Sequence, residues 1–309
     1  MLGRTAGGLF WMFRYLERAE NSARLIEAGF RIALTRPGTD DWASVLKTAG
    51  AAEAMGGGAK SQSEAIDFLL RDPTNPSSVM CCISLARQNA RMVRTAITRE
   101  VWEAVNDTYL SLKARLARPV PEKDLTEVLG LIRQQSALVR GALHGSMLRD
   151  DTFDFCRIGT FLERADNTAR ILDVKYYVLL PSVTHVGSTL DNVQWEVILR
   201  SVAGARAFAW LNKGEITAKG VTDFLVFDPR MPRSLRFAVS KIRSNLDMLE
   251  TDYFERHACH DLADALDAAL RRQNVDQVFE TGLHEFLSDF LNRIGGLGRA
   301  IESDYRFAG

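Results

Sequence analysis

Tyr15-Leu-Glu-Arg-Ala-Glu-Asn-Ser-Ala-Arg-Leu-Ile-Glu27 recurs once in the chain, as Phe161-Leu-Glu-Arg-Ala-Asp-Asn-Thr-Ala-Arg-Ile-Leu-Asp173. Seven of the thirteen positions are identical and the other six are conservative exchanges. Two copies of one charged segment point to a duplicated unit. The spacing predicts a helix in each copy. In the first, Leu16, Ala19, Ala23, Ile26 and Phe30 share one face, and Glu17, Glu20, Asn21 and Arg24 share the other. Arg18 points elsewhere, between Trp11, Ser22 and Leu25, so Glu17 and Arg18 are not a local ion pair. Glu20 and Arg24 are one, at i,i+4 in the favourable acid-first order.

Outward from these copies the helical pattern continues. Residues 9–34 read as one amphipathic helix, stopped by Arg36-Pro37-Gly38. A second helix starts near Thr39-Asp40-Asp41 and ends before Gly56-Gly57-Gly58, and a short one over 61–70 has Ser61 or Ser63 as its cap. After the rigid loop Asp72–Pro76, Ser77 caps a long helix reaching Arg118, and residues 122–148 and 152–179 form two more, the last ended by Pro181. Helices near 261–272 and 274–306 finish the chain.

The second half repeats the order of the first. Trp195-Glu-Val-Ile-Leu-Arg200 answers Trp42-Ala-Ser-Val-Leu-Lys47, and Phe224-Leu-Val-Phe-Asp-Pro-Arg-Met-Pro232 answers Phe68-Leu-Leu-Arg-Asp-Pro-Thr-Asn-Pro76 with both prolines in register. Ser240, Arg243, Asn245 and Met248 answer Ser84, Arg87, Asn89 and Met92. The expected class is all-α: a duplicated helical bundle of two pseudo-two-fold-related halves, residues 1–125 and 126–309, packed on a shared core. Strand alternation is confined to Val221–Phe227, which the repeat pairs with a helical segment.

Trp11 through Glu27, the Phe161–Tyr177 copy with its Ile-Leu-Asp-Val-Lys-Tyr tail, and Trp102-Glu-Ala-Val-Asn106 resemble the alpha-E family, a bacterial all-helical family named for its Glu-Arg motif. The similarity runs from Met1 to the end, departing at Gly7-Gly8, where the family carries polar or larger residues. The resemblance implies no established activity and no assigned catalytic residues. It implies an association with circularly permuted ATP-grasp proteins and transglutaminase-like proteins, and so with forming or processing amide bonds in a peptide.

Composition narrows the partners. Lys+Arg and Asp+Glu both number 39, so no net charge draws the molecule to nucleic acid or an anionic membrane. No run approaches ~18 apolar residues, and the N-terminus lacks a signal-peptide pattern. The four cysteines, Cys81, Cys82, Cys156 and Cys259, form no Cys-x-x-Cys, which fits a reducing cytoplasm and argues against a zinc site.

The candidate site is a polar network between the halves: Glu17, Arg18, Asn21 and Arg24 with Glu163, Arg164, Asn167 and Arg170. One reading has the arginines clamp a carboxylate or phosphate while the acids orient them. The other has the same charges lock two helices together. A secondary basic stripe, Arg87, Arg91 and Arg94, is either a docking surface or a solvated face. The second half has Asp247 and Glu250 where the first has Arg91 and Arg94, while Arg87 is answered by Arg243, and this reversal of sign raises the prospect of pairing between halves. No Glu-x-x-His supports a di-iron centre, and His257-Ala-Cys-His260 lacks a second ligand cluster for zinc. No phosphate-cradling glycine loop is present, and Gly295-Gly-Leu-Gly298 reads as a close helix contact. Neither a metal nor a cofactor is expected. Two functions follow: a binding and assembly module for an ATP-grasp ligase, or an enzyme of peptide amide chemistry with Glu17 or Glu163 as general acid/base.

Overall fold

A computed structural model describes residues 1–35, 42–56, 61–178, 189–212 and 215–307. Among them every regular element is helical. The expected boundaries at Arg36–Asp41, at Gly57-Gly58 and at Pro181 lie outside the described residues.

Two long helices form the centre. α1 (Gly3–Thr35) follows from the unbroken apolar stripe around the first motif. α2 (Trp42–Thr48) and α3 (Gln62–Leu70) come next, with the Ser61 hydroxyl accepting the Glu64 N–H and Glu64 in the first turn. α4 (Val79–Met92), α5 (Arg99–Arg115) and α6 (Glu122–Ser146) lead to the second long helix, α7 (Asp151–Val178). Beyond it lie α8 (Thr189–Ser201), α9 (Ala205–Leu211), α10 (Ala218–Val226), α11 (Leu235–Tyr253), α12 (Ala258–Arg272), α13 (Val275–Thr281) and α14 (Leu283–Asp304). α1 and α7 pack most extensively against each other; α4 and α6 cover α1, while α11 and α14 cover α7. α5 bridges α4 and α6 as α12 bridges α11 and α14. Where α1 crosses α7, any Cβ at Gly159 would collide with the Phe10 carbonyl, so glycine permits the close approach.

Three expectations are corrected. The helix from Ser77 to Arg118 is broken in two. Thr98 caps α5, its hydroxyl accepting the Val101 N–H, and the chain turns between Val93 and Thr98. Ser78, not Ser77, caps α4, because the Ser77 N–H is held by the Asn75 side chain. The helix placed at 274–306 is interrupted at Gly282, whose φ of 107° no helix accommodates. Val221–Phe227, despite its alternation, is the end of helix α10, which Thr217 caps at its start and Phe227 at its close. Gly7 and Gly8 face Phe307 and Val93, whose side chains occupy the space of a larger residue. Of the C-terminal glycines, Gly298 packs on Leu162 of α7, as the close-contact reading requires.

Candidate functional site

The α1–α7 crossing turns the two motifs toward each other and pairs them reciprocally. Glu17 accepts from Arg164 Nε and Nη2, both at 2.9 Å, and Glu163 accepts from Arg18 Nε at 2.6 Å and Nη2 at 2.9 Å. Both are two-pronged fork contacts, which fit a planar guanidinium to a carboxylate. Glu17 is 1% exposed and Glu163 5%, so each acid needs its partner. Arg14 also donates to Glu163, at 3.0 Å.

The first copy collects more cations than the second. Arg233, just after Pro232, donates to Glu20 at 2.7 Å and to the Asn21 side-chain amide oxygen at 3.0 Å, and lies 2.9 Å from Glu17. Arg140 of α6 reaches Glu20 and Glu17, and Arg24 holds Glu20 as the i,i+4 spacing predicted. The second copy is simpler, with Arg170 pairing with Asp166 at 2.7 Å. Arg140 and Arg233 escaped the sequence reading. Their counterpart acids lie more than a hundred residues away, and the repeat conceals Arg233, whose matched position is Ser77.

Electrostatics follow the geometry. Burial pushes the Glu17 carboxyl up, but Arg164 and Arg233 overcome it and hold it far below the usual range. Burial acts likewise on Glu163, where Arg18 and Arg14 prevail, and on Glu20, where Arg233, Arg140 and Arg24 outweigh both burial and Glu17. Arg233, fully enclosed, is brought down to about 10, chiefly by burial.

On one flank of this clasp lies a cavity of about 220 Å³, lined by Arg18, Asn21, Glu163, Asp166, Asn167 and Arg170 among others. Asn21 is 3% exposed and Asn167 7%, and the amide nitrogen of each is buried without an acceptor among the described residues. Unpartnered buried donors are costly, and two of them beside one cavity mark a place that an acceptor can fill. The eight motif residues are thus divided. Glu17 and Arg164 are consumed in the clasp, Arg24 lies beyond it, and Arg18, Asn21, Glu163, Asn167 and Arg170 border the cavity.

Arg87 and Arg91 of the basic stripe border one pocket, and its three arginines are held differently. Arg87 donates to the Asn106 side chain at 2.9 Å and stacks over Tyr109, Arg94 lies over Trp102, and Arg91 is exposed. The charge reversal does not join the halves: Asp247 lies 3.9 Å from Arg243 and Glu250 binds Arg256 at 2.7 Å, all within the second half. α4 packs on α1 and α11 on α7, so the two stripes lie on helices that cover different central helices.

His257 and His260 close the start of α12, where the His257 N–H donates to His260 Nδ1 at 3.0 Å and His260 Nε2 faces the Leu246 carbonyl. Among the described residues no three His, Cys, Asp or Glu side chains gather as metal ligands do. One arrangement escaped the sequence reading. Asp173 Oδ1 lies 2.6 Å from His284 Nδ1, and His284 Nε2 lies 3.3 Å from Ser288 Oγ. The order is that of a nucleophilic triad, but Ser288 sits inside α14, where the neighbouring N–H groups are spent on helix carbonyls and cannot form an oxyanion hole. Burial pushes the Cys82 thiol up to about 12 and that of Cys156 well up, which leaves neither as a thiolate nucleophile.

Comparison with known proteins agrees with the helical architecture. The Alpha-E model, described as a predicted alpha-helical domain with a conserved ER motif, matches residues 1–305. The uncharacterized proteins Mb2597 of Mycobacterium bovis and MT2643 of Mycobacterium tuberculosis are each 24% identical over 320 residues. Uncharacterized protein Rv2567 of Mycobacterium tuberculosis is 23% identical over the same length. Each match covers 96% of this chain and 35% of the relative, so the chain spans about a third of the curated relatives' length. No solved structure matches.

Proposed function

This chain belongs to the Alpha-E family, and we propose that it is a helical binding and assembly module acting with an ATP-grasp amide ligase, and with a transglutaminase-like protein, in the synthesis or modification of a peptide. The observation that carries this reading is the fate of the motif acids. Glu17 and Glu163 are buried in forked ion pairs that keep them ionised, whereas a general acid needs a carboxyl raised toward neutrality. What the clasp leaves available is a binding surface, the cavity with its two free amide donors. The charges lining it, Arg18 and Arg170 with Glu163 and Asp166, are paired and cancel, and Arg14 reaches Glu163 from outside the lining. A single carboxylate, such as a peptide C-terminus, supplies acceptors to the unpartnered amide donors of Asn21 and Asn167, with Arg14 as the cation beyond the paired lining. The partner classes come from the family resemblance, and the greater length of the mycobacterial relatives agrees with a unit built to work beside other domains.

The same reading includes duplication of a unit into halves 1–125 and 126–309. Its support is local as well as global. Asp72 accepts the Thr74 N–H as Asp228 accepts the Arg230 N–H, and Ser78 caps α4 as Ser234 caps α11. We place the chain in the cytoplasm, where its four free cysteines are at home. No described helix is long and apolar enough to cross a membrane.

The test mixes the purified chain with its ATP-grasp partner, measures complex formation by light scattering, and assays ATP turnover with and without the chain. A complex with altered ligase turnover is expected. Turnover by this chain alone, abolished in Glu17→Gln or Glu163→Gln with the fold intact, would replace the module by an enzyme of peptide amide chemistry. Absence of a complex would also overturn the module.

A further inference from the structure

A second cavity, on another face of α1 from the one just described, is lined by five arginines among small and apolar residues. Its volume is about 310 Å³, and Arg24, Arg31, Arg133, Arg200 and Arg206 line it with one acid, Glu27. These side chains come from three places in the chain: α1, α6, and the end of α8 with the start of α9 on either side of the turn that joins them. Ala203 in that turn holds φ at 55°, in the left-handed region that costs a non-glycine residue about 1 kcal/mol or more. The turn sets Arg200 and Arg206 at the same mouth.

The acids near this cavity do not balance its cations. Glu27 is shared between Arg31 and Arg133. Glu20, which holds Arg24, also serves Arg140 and Arg233. Arg200 has Glu196 to itself. Arg206 has no carboxylate within ion-pair distance among the described residues, and lies over the Trp210 ring. Two positive charges or more are therefore left over at one opening, as a burial-lowered Arg133 beside Arg24 also indicates. Like charges brought together this way repel, and a fold that keeps them so gains when an anion enters.

We propose that this cavity binds a multiply charged phosphoryl group, a di- or triphosphate or a ligand ending in one. A monocarboxylate would leave the surplus uncancelled. A diphosphate offers several oxygens around two adjacent charged centres, which guanidinium forks arriving from different directions can share. The exposed Trp210 face beside Arg206 extends the site with an apolar surface for whatever carries the phosphates. The site shares no lining residue with the carboxylate cavity, so it stands whether or not that assignment holds.

The probe is inorganic pyrophosphate, titrated calorimetrically into the full chain, with citrate and sodium chloride at matched ionic strength as the other arms. Saturable pyrophosphate binding is expected, at least tenfold tighter than citrate. It should weaken at least tenfold in Arg206→Ala and in Arg133→Ala and stay unchanged in Arg99→Ala, which removes an exposed arginine outside both cavities. Arg206 is exposed and without an acid partner, so Arg206→Ala keeps its fold, which a circular dichroism melt verifies. Three results would overturn the assignment: no saturable binding, binding that survives both arginine substitutions, or citrate binding as tightly as pyrophosphate.

Discussion

Glu17 on the first long helix and Arg164 on the second meet in a two-pronged ion pair, 147 residues apart in the chain, with both nitrogen–oxygen distances at 2.9 Å. Its mirror, Arg18 with Glu163, lies beside it. A dipeptide that looks like a local salt bridge is thus two halves of two different bridges. Each motif donates its acid to one bridge and its arginine to the other. That exchange gives the Glu and the Arg of each copy a separate partner in the other.

Removing one partner leaves the other charged and buried. Glu17→Ala and Glu163→Ala should each lower unfolding free energy by about 3–5 kcal/mol, read from urea denaturation. Glu103→Ala, which breaks the exposed Arg99–Glu103 pair, should leave the denaturation midpoint unchanged within error.

Asp154 provides a pH dependence of opposite sense to that of the clasp. Burial, with Asp252 second, pushes its carboxyl up to about 7, so the folded state favours the protonated form. This contribution is fully present below about pH 4, the unfolded value, and is lost as pH rises through 7. Asp154→Asn should therefore stabilise the protein at pH 8 by a few kcal/mol, on the order set by that shift, and change little at pH 4. Glu17, Glu20 and Glu163, whose carboxyls are lowered, contribute stability above about pH 4.3 that disappears as pH falls below it. Thermal melts from pH 3 to 9 separate the two trends.

Asn167→Leu removes a buried donor that has no acceptor, so it should cost the fold little while weakening capture of a carboxylate. A short peptide with a free C-terminus should bind the native chain and lose at least tenfold affinity in this variant. The same peptide amidated at its C-terminus should bind neither.

Charge reversal at Arg91 and Asp247 should be additive. The two residues sit on helices that cover different central helices, and Asp247 already has Arg243. Arg91→Glu, Asp247→Arg and the double variant should show a coupling within about 0.5 kcal/mol of zero.

Helix class and the central motif pair were legible in the sequence because both are local: apolar spacing, caps such as Ser61, and thirteen residues repeated in order. The breaks at Thr98 and Gly282 were missed because the apolar spacing runs on through them, and only the cap and the backbone angle reveal them. Membership of the network was legible only in part. Arg18 and Glu163 announce themselves by repetition, but Arg140 and Arg233 reach the acids through packing that no spacing encodes. The reversal at Arg91 and Arg94 misled for a related reason. Matched positions in two halves need not face each other, and here Asp247 and Glu250 pair within their own half.

A double-mutant cycle on Glu17 and Arg164 tests most directly whether the motif acids are spent in the clasp. Glu17→Gln, Arg164→Met and the double variant, unfolded in urea at pH 7, should give a coupling of about 2–3 kcal/mol, because each residue has the other as its forked partner in a buried site. A coupling below about 0.5 kcal/mol would mean that the pair contributes nothing to holding the helices together, and would contradict the structural reading of the Glu-Arg motif.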